Sequence, residues 1–183
     1  NLSLSVPTGS KTQTDRILTP MGGTPSPRLP YPMQLVTGTW DVKPALTAFD
    51  RIGKIGFGAQ ASARIPLGQN SEGYKFGDRI EATAWLSYEP QYWISLSTRV
   101  KAVSQGKIDG IDPAIMAPVQ TADPDNAGGD TVELLFGINL AGQTGALKGH
   151  RLALEYGIPL ARDLNGPQLE TDRVLTVGWQ KAF

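Results

Sequence analysis

Hydrophobic and polar residues alternate with a period of two along most of this chain. The clearest case is the C-terminal segment, where Lys181 is the one polar residue on a face that is otherwise formed by Leu175, Val177, Trp179 and Phe183. Such alternation is typical of β-strands with one apolar face, and we find no segment whose apolar residues repeat at helical spacing. The sequence therefore predicts an all-β protein.

Eight segments show this alternation. They lie at residues 1–7, 36–49, 55–67, 79–88, 93–102, 131–140, 150–160 and 174–183. Most of them have the length of a tilted strand that crosses a bilayer, which needs about 9–11 residues. Pro44 lies inside the second segment and predicts a bulge or weak pairing there, because proline has no N–H for the sheet.

The connections between these segments alternate in length. The long ones, at 8–35, 68–78, 103–130 and 161–172, are rich in Gly, Pro, Asn and Asp, and shorter ones lie near 50–54, 89–92 and 141–149. Outer-membrane barrels have short periplasmic turns and longer extracellular loops. The order predicts one domain, 1–183, that forms an antiparallel up-and-down transmembrane β-barrel of about eight strands. Its long loops would be extracellular and its C-terminus periplasmic.

Charged residues occupy the polar face of the predicted strands. The set is Asp41, Lys43, Arg64, Arg79, Glu81, Arg99, Lys101, Glu133, Arg151 and Glu155. In a soluble sandwich these side chains would be solvated surface, whereas in a barrel they would converge on the lumen, pair with one another and set selectivity. Alternation alone does not separate the two architectures, but the order of the connections favours the barrel.

The C-terminal segment and the aromatic residues extend this prediction. Leu175, Val177, Trp179 and Phe183 resemble the signal that the barrel assembly machinery recognises in bacterial outer-membrane proteins, with Lys181 in place of an aromatic residue that is common there. Aromatic residues near the predicted strand ends could form interfacial girdles: Phe57, Tyr88, Tyr92, Trp93 and Trp179. Trp85 falls on the polar face and is predicted to plug the lumen.

Composition narrows the functional classes. The chain has 17 basic and 17 acidic residues and no basic run, so we expect no nucleic-acid partner. It has no cysteine, which excludes disulfides and thiolate ligands. No segment is long and apolar enough for a membrane-spanning helix, and the first residues do not show a charged n-region followed by an apolar h-region. Because Asn1 lies inside an alternating pattern, we expect further residues upstream.

Several loop residues carry possible chemistry. His150, the only histidine, is expected to be a rim residue rather than a catalytic base. Five aspartates in one long connection could bind calcium or could simply make turns: Asp109, Asp112, Asp123, Asp125 and Asp130. Three methionines could bind copper or pack their loops: Met21, Met33 and Met116. The proline-rich segment 8–35 could cap or constrict a barrel, or be a surface loop. We predict no metal site and no cofactor.

Five segments resemble a known family. They are Leu-Pro-Tyr-Pro-Met-Gln-Leu (29–35), Thr-Gly-Thr-Trp-Asp (37–41), Gly-His-Arg-Leu-Ala-Leu-Glu (149–155), Asp-Leu-Asn-Gly-Pro-Gln-Leu-Glu-Thr-Asp (163–172) and Gly-Trp-Gln-Lys-Ala-Phe (178–183). They are similar to the outer-membrane transporter-like β-barrel family of meta-pathway of phenol degradation proteins. The resemblance implies an outer-membrane barrel more firmly than phenol chemistry. It also implies that this chain is the C-terminal part of a larger barrel of about 12 strands, whose N-terminal strands are missing here.

The expected function is a porin-like channel or transporter-like protein of the Gram-negative cell envelope that serves a small solute. The main alternative is a non-conducting outer-membrane scaffold whose loops or lumen bind a partner envelope protein. Two further alternatives are an outer-membrane hydrolase and a soluble lipid-binding barrel. We predict that the chain is not an enzyme, because no Ser/His/Asp set converges at the predicted extracellular rim.

Overall fold

The computed structural model describes residues 1–18, 22–116 and 118–182. Its strands, in chain order, are β1 (Leu2–Ser5), β2 (Asp41–Ile52), β3 (Ile55–Pro66), β4 (Tyr74–Lys75), β5 (Arg79–Gln91), β6 (Ile94–Gln105), β7 (Asp109–Gly110), β8 (Gly129–Ala141), β9 (His150–Leu164) and β10 (Val174–Lys181). Short 3₁₀ turns occur at Tyr31–Met33, Gln120–Ala122, Pro124–Asn126 and Gly145–Leu147. The prediction of an all-β chain is confirmed, and each of the eight predicted segments contains a strand.

The eight longer strands form one antiparallel sheet in the order β1-β2-β3-β5-β6-β8-β9-β10, so each pairs with the next long strand along the chain. The two short strands β4 and β7 pair with each other between the long connections. Within the described residues β1 and β10 are not paired, and the sheet is open at these two edges. The up-and-down strand order is therefore present, while closure into a barrel stays a prediction.

Several strands begin or end at residues other than those predicted, because turn geometry determines where a strand ends. β2 continues to Ile52, and only Gly53 and Lys54 separate it from β3. Gly53 has a φ of 60°, which the favoured two-residue hairpin turns require. The predicted start of β2 at residue 36 was wrong, because the strand begins at Asp41. The ladder between β2 and β3 skips Lys43 and Pro44, which confirms the weak pairing predicted at the proline.

The two faces of the sheet differ in exposure. A water-soluble sheet buries its apolar face, whereas here the apolar side chains are the more exposed ones. On the face that carries the apolar residues, which we call the apolar face, Leu46 is 77% exposed, Phe136 50% and Val177 61%. On the opposite face, which we call the charged face, Thr83 is 8% exposed and Leu135 4%. The extensive contacts of each long strand are with its hydrogen-bonded neighbours. The charged face is therefore the less exposed face of the sheet at these positions.

The compact hydrophobic cluster of the chain lies among the long connections rather than in the sheet. Tyr31, Tyr74, Ile108 and Ile115 are buried together, and Phe76, Ala122 and Ala127 pack against them. We call this group the loop cluster. The alternation pattern did not predict it, because its members come from separate irregular segments. In the described part of the chain, no helix has the length and apolarity to cross a membrane.

Candidate functional site

The antiparallel register brings most of the predicted lumen residues together on the charged face. Side chains on one face of neighbouring strands lie directly opposite each other at about 4.5–5.5 Å between Cβ atoms. Arg64 lies opposite Arg79, Glu81 opposite Val103, and Lys101 opposite Glu133. The charged residues that alternation assigned to one face of separate strands therefore become neighbours in a single surface.

Lys101 and Glu133 form a direct ion pair across β6 and β8. The Lys101 Nζ lies 2.6 Å from a Glu133 carboxylate oxygen, and the two side chains are 23% and 19% exposed. This partial burial reduces solvent screening, so each charge depends on the other for compensation. The pair is located near the middle of the charged face.

A second ion pair, Arg99 with Glu155, spans two strand spacings. Arg99 belongs to β6 and Glu155 to β9, and β8 runs between them. In the register, Gly137 of β8 lies between Ser97 and Glu155. A Cβ at Gly137 would overlap the Ser97 hydroxyl, so the absence of a side chain leaves the passage across β8 clear for the long guanidinium. A charged network thus connects three strands of this face.

A third group of charged side chains, around Arg79, lies closer to the long connections than the two ion pairs above. Arg79 donates to Glu81 over 3.2 Å and to the side-chain oxygen of Gln105 over 3.3 Å. Arg64, directly opposite Arg79, has no carboxylate within salt-bridge distance among the described residues. The Arg64 Nε is buried without a hydrogen-bond partner there. The group therefore contains more guanidinium donors than acceptors.

The remaining predicted lumen residues are less connected. Asp41 is 2% exposed and its carboxylate accepts a 2.5 Å hydrogen bond from the Thr39 hydroxyl. Arg151 donates to the Asn139 side chain over 2.8 Å and has no ion pair among residues 1–18, 22–116 and 118–182. Lys43 is exposed. The structure thus joins six of the ten predicted residues in three ion pairs, Arg79–Glu81, Arg99–Glu155 and Lys101–Glu133.

Trp85 lies on the charged face, as its position in the alternation predicts. Its register partner on β3 is Gly58, and a Cβ on that glycine would overlap the indole ring. The ring therefore occupies the space above Gly58 of β3 and is partly buried. This position agrees with a bulky group that occupies space on the charged face, while plugging of a lumen stays a prediction.

Buried polar contacts anchor the loop cluster. The Arg28 guanidinium lies 2.6 Å from the Glu72 carboxylate and 2.7 Å from that of Asp112, which is 1% exposed. The Tyr31 hydroxyl accepts a hydrogen bond from the Asp112 backbone N–H at 3.1 Å. The rings of Tyr31 and Tyr74 meet edge to face with centroids 4.8 Å apart. Three connections that are distant in sequence are thereby held together.

These contacts shift the acid–base behaviour of the loop cluster. Burial raises the pKa of Tyr31 and of Tyr74, because the apolar surroundings disfavour the phenolate. The hydrogen bond from Arg28 lowers the pKa of Glu72. The hydrogen bond to Asp112, followed by the one to Glu72, raises the pKa of Arg28. The cluster is therefore most stable while the tyrosines are neutral and Glu72 is ionised.

A cavity of about 290 Å³ adjoins the loop cluster. Its lining includes Tyr31, Phe76, Ile108, Thr121, Asn126 and Leu169. The lining combines residues of four connections or strand ends, so sequence patterning could not have located it. The cavity lies beside the long connections, and its lining also includes Gln105, whose side-chain oxygen accepts a hydrogen bond from Arg79.

The aspartates of the long connection act as turn and pairing residues. Asp112 accepts from the Ala114 N–H, Asp123 accepts from the Asp125 N–H, and Asp125 contacts the Lys107 ammonium at 3.2 Å. Within the described residues, no three His, Asp or Glu side chains gather as a metal site would require. Met33 and Met116 are 57% and 82% exposed, and Met21 lies outside the described residues.

The predicted assembly signal lies on the exposed apolar face at the last strand. Leu175, Val177 and Trp179 are 68%, 61% and 67% exposed, and Phe183 lies outside the described residues. The Trp179 Nε1 donates to the Nδ1 of His150 over 3.1 Å, so the single histidine occupies the predicted position beside a short turn. The proposed girdle residues Phe57, Tyr88, Tyr92 and Trp93 are also exposed.

Comparison of the sequence with protein-family models and with curated proteins gave no match.

Proposed function

We propose that this chain forms the wall of an outer-membrane β-barrel, with its apolar face in lipid and its charged face around a lumen that conducts or binds a small solute. The observation that supports this most is the reversed exposure of the two faces. The apolar face exposes at least half of the surface of Leu86, Phe136 and Val177. The opposite face holds two half-buried ion pairs, Lys101–Glu133 and Arg99–Glu155.

A continuous exposed apolar surface is costly in water and favourable in hydrocarbon. Soluble monomers rarely expose apolar patches larger than a few hundred Å². The apolar face extends over all eight long strands, and its residues alternate regularly with the charged face. In the hydrocarbon region of a bilayer every backbone polar group must be paired, so the free edges of β1 and β10 would be joined by barrel closure, directly or through further strands.

The same proposal accounts for the remaining expectations. The long connections would be extracellular, the short turns periplasmic, and Leu175, Val177 and Trp179 would form the signal read by the barrel assembly machinery. The resemblance to the outer-membrane transporter-like family supports this localisation. The proposed partners are outer-membrane lipid and a small solute, and the role is passive rather than enzymatic.

The orientation of the faces can be tested directly, because the chain has no cysteine. Leu96→Cys and Ser97→Cys place a spin label on neighbouring residues of β6 that point to opposite faces. In lipid vesicles, we expect the label at position 96 to be reached by oxygen and the label at 97 by a water-soluble nickel chelate. Equal access of the nickel chelate to both labels would contradict the proposal.

A measurement of ion current distinguishes a conducting channel from a non-conducting scaffold. The full chain, reconstituted in a planar bilayer, should carry ion current, and Glu133→Gln should shift its selectivity toward anions because Lys101 loses its counter-charge. Leu169→Gln, at a fully exposed loop position, is the matched control and should leave selectivity unchanged.

A non-conducting scaffold is the second candidate function, and one observation favours it. The loop cluster ties the long connections into a packed body, with Tyr31 and Tyr74 fully buried. Such a body could block the lumen and present a surface to a partner envelope protein. A correctly inserted chain that carries no current, and gains none when Tyr74→Ala loosens the loop cluster, would support the scaffold over the channel.

A further inference from the structure

Two arginines face each other on the charged face without enough acid to neutralise them. Arg64 of β3 and Arg79 of β5 are register partners, which places their Cβ atoms about 4.5–5.5 Å apart. Like charges in this arrangement destabilise a sheet. A pair of guanidinium groups held in this way therefore requires a compensating anion or a functional reason.

The nearest carboxylates do not supply that compensation to Arg64. Glu81 bonds Arg79 at 3.2 Å, and no Asp or Glu of the described residues lies within 4.0 Å of the Arg64 guanidinium nitrogens. The Arg64 Nε is buried and has no hydrogen-bond partner there. A buried donor of this kind costs free energy unless a ligand or water accepts from it.

The surroundings of Arg64 add positive charge. Lys43 lies inside the gap of the β2–β3 ladder, directly after the paired positions Val42–Ile65. This places it beside Arg64, which precedes Ile65, on the same face. Its ammonium has no ion pair among the described residues. Asp41, the other acid on this end of the face, is buried and accepts from Thr39. This end of the charged face therefore carries three cations and two carboxylates. They are Lys43, Arg64 and Arg79, and Asp41 and Glu81.

We propose that Arg64 and Arg79 bind an oxyanion, the carboxylate or phosphate group of a small solute. A guanidinium presents five N–H donors in a planar fork that matches such groups. A single oxyanion between the two arginines would accept from both, remove their repulsion and use the free donors of Arg64. Arg79 is the first residue of β5, so the site lies where the charged face meets the long connections.

This inference rests on the proposed function only in that a solute reaches the enclosed face from the long-loop side. Solute binding itself does not require conduction. The site can therefore be tested in detergent-solubilised full chain, and its failure can be distinguished from failure of the channel proposal, which the planar-bilayer measurement tests independently.

The experiment is calorimetric titration of the folded chain with succinate and, separately, with inorganic phosphate at low ionic strength. We expect one of these oxyanions to bind, with at least tenfold weaker affinity in Arg64→Gln. Arg64→Lys keeps the charge without the planar fork and should give intermediate affinity. Arg51→Gln is the matched control, because Arg51 lies opposite Gly56 at the far end of β3 from Arg64 and its guanidinium already contacts Glu89 at 2.6 Å, and it should bind like the parent chain.

Two results would overturn the inference. One is that the folded parent chain binds neither succinate nor phosphate. The other is that Arg64→Gln and Arg51→Gln weaken binding equally, which would indicate a diffuse effect of net charge rather than a site. If Arg64→Gln does not fold, the comparison of Arg64→Lys with Arg51→Lys decides, since both retain the charge and differ in location.

Discussion

Replacing Leu86 with arginine should cost far more stability in a bilayer than the same change in a loop. β5 has 13 residues, and Leu86 is the eighth of them. In the proposed barrel, at about 3.3 Å per residue and a tilt near 45°, β5 would span about 30 Å along the membrane normal, which equals the hydrocarbon thickness. Leu86 would then lie within about 3 Å of the midplane, on the face that we propose points to lipid.

At that depth a lipid-facing arginine destabilises an outer-membrane barrel by about 2–4 kcal/mol. In a water-soluble protein a half-exposed leucine such as Leu86, at 50% exposure, would tolerate the change within about 0.5 kcal/mol. The matched control is Leu169→Arg in the last long connection, where the leucine is 97% exposed and both environments are aqueous. The membrane hypothesis and the water-soluble hypothesis therefore predict losses of unfolding free energy for Leu86→Arg that differ several-fold.

The assay is reversible guanidinium unfolding in lipid vesicles, extrapolated linearly to zero denaturant and followed by tryptophan fluorescence. We expect Leu86→Arg to lower the free energy of unfolding by about 2–4 kcal/mol and Leu169→Arg to change it by less than about 0.5 kcal/mol. Equal small effects for both variants would refute the orientation of the apolar face and, with it, the membrane proposal.

Glu133→Ala leaves Lys101 half-buried without its partner and should cost about 1–3 kcal/mol of unfolding free energy, most of it recovered in the double variant with Lys101→Met. Arg64→Gln should raise the melting temperature when no oxyanion is present, because it removes the repulsion with Arg79; a lower melting temperature would indicate that Arg64 is a structural residue. The pKa of Glu72 is lowered in the folded chain, so its bond to Arg28 contributes fully above about pH 4.5 and is lost as the pH falls further. Near-ultraviolet circular dichroism of the loop cluster should show this acid transition, and Glu72→Gln should lack it.

Alternation identified every long strand and assigned the correct face to most charged residues, because successive side chains of a strand point to opposite sides whatever the tertiary structure. The boundaries were less accurate. β2 extends to Ile52 and β9 to Leu164, beyond the predicted residues 49 and 160, because the ends of strands depend on turn geometry and on the length of the neighbouring strand.

The pairing of the charges could not be predicted. Arg99 reaches Glu155 across β8, where the register places Gly137 opposite Glu155, and register depends on the hairpin turns and on long-range pairing. For the same reason the sequence put Arg64 and Arg79 on one face without indicating that they are direct neighbours. The loop cluster was missed altogether, since irregular segments carry no periodic signal.

The sequence by itself determined the all-β class, the eight long strands and the division into an apolar and a charged face, because these follow from local alternation. The tertiary structure alone decided which acids and bases meet, that Arg64 has no carboxylate partner among the described residues, and how Tyr31 and Tyr74 join distant connections. These features depend on contacts between residues far apart in the chain, whose positions are set by strand register and packing rather than by neighbouring residues.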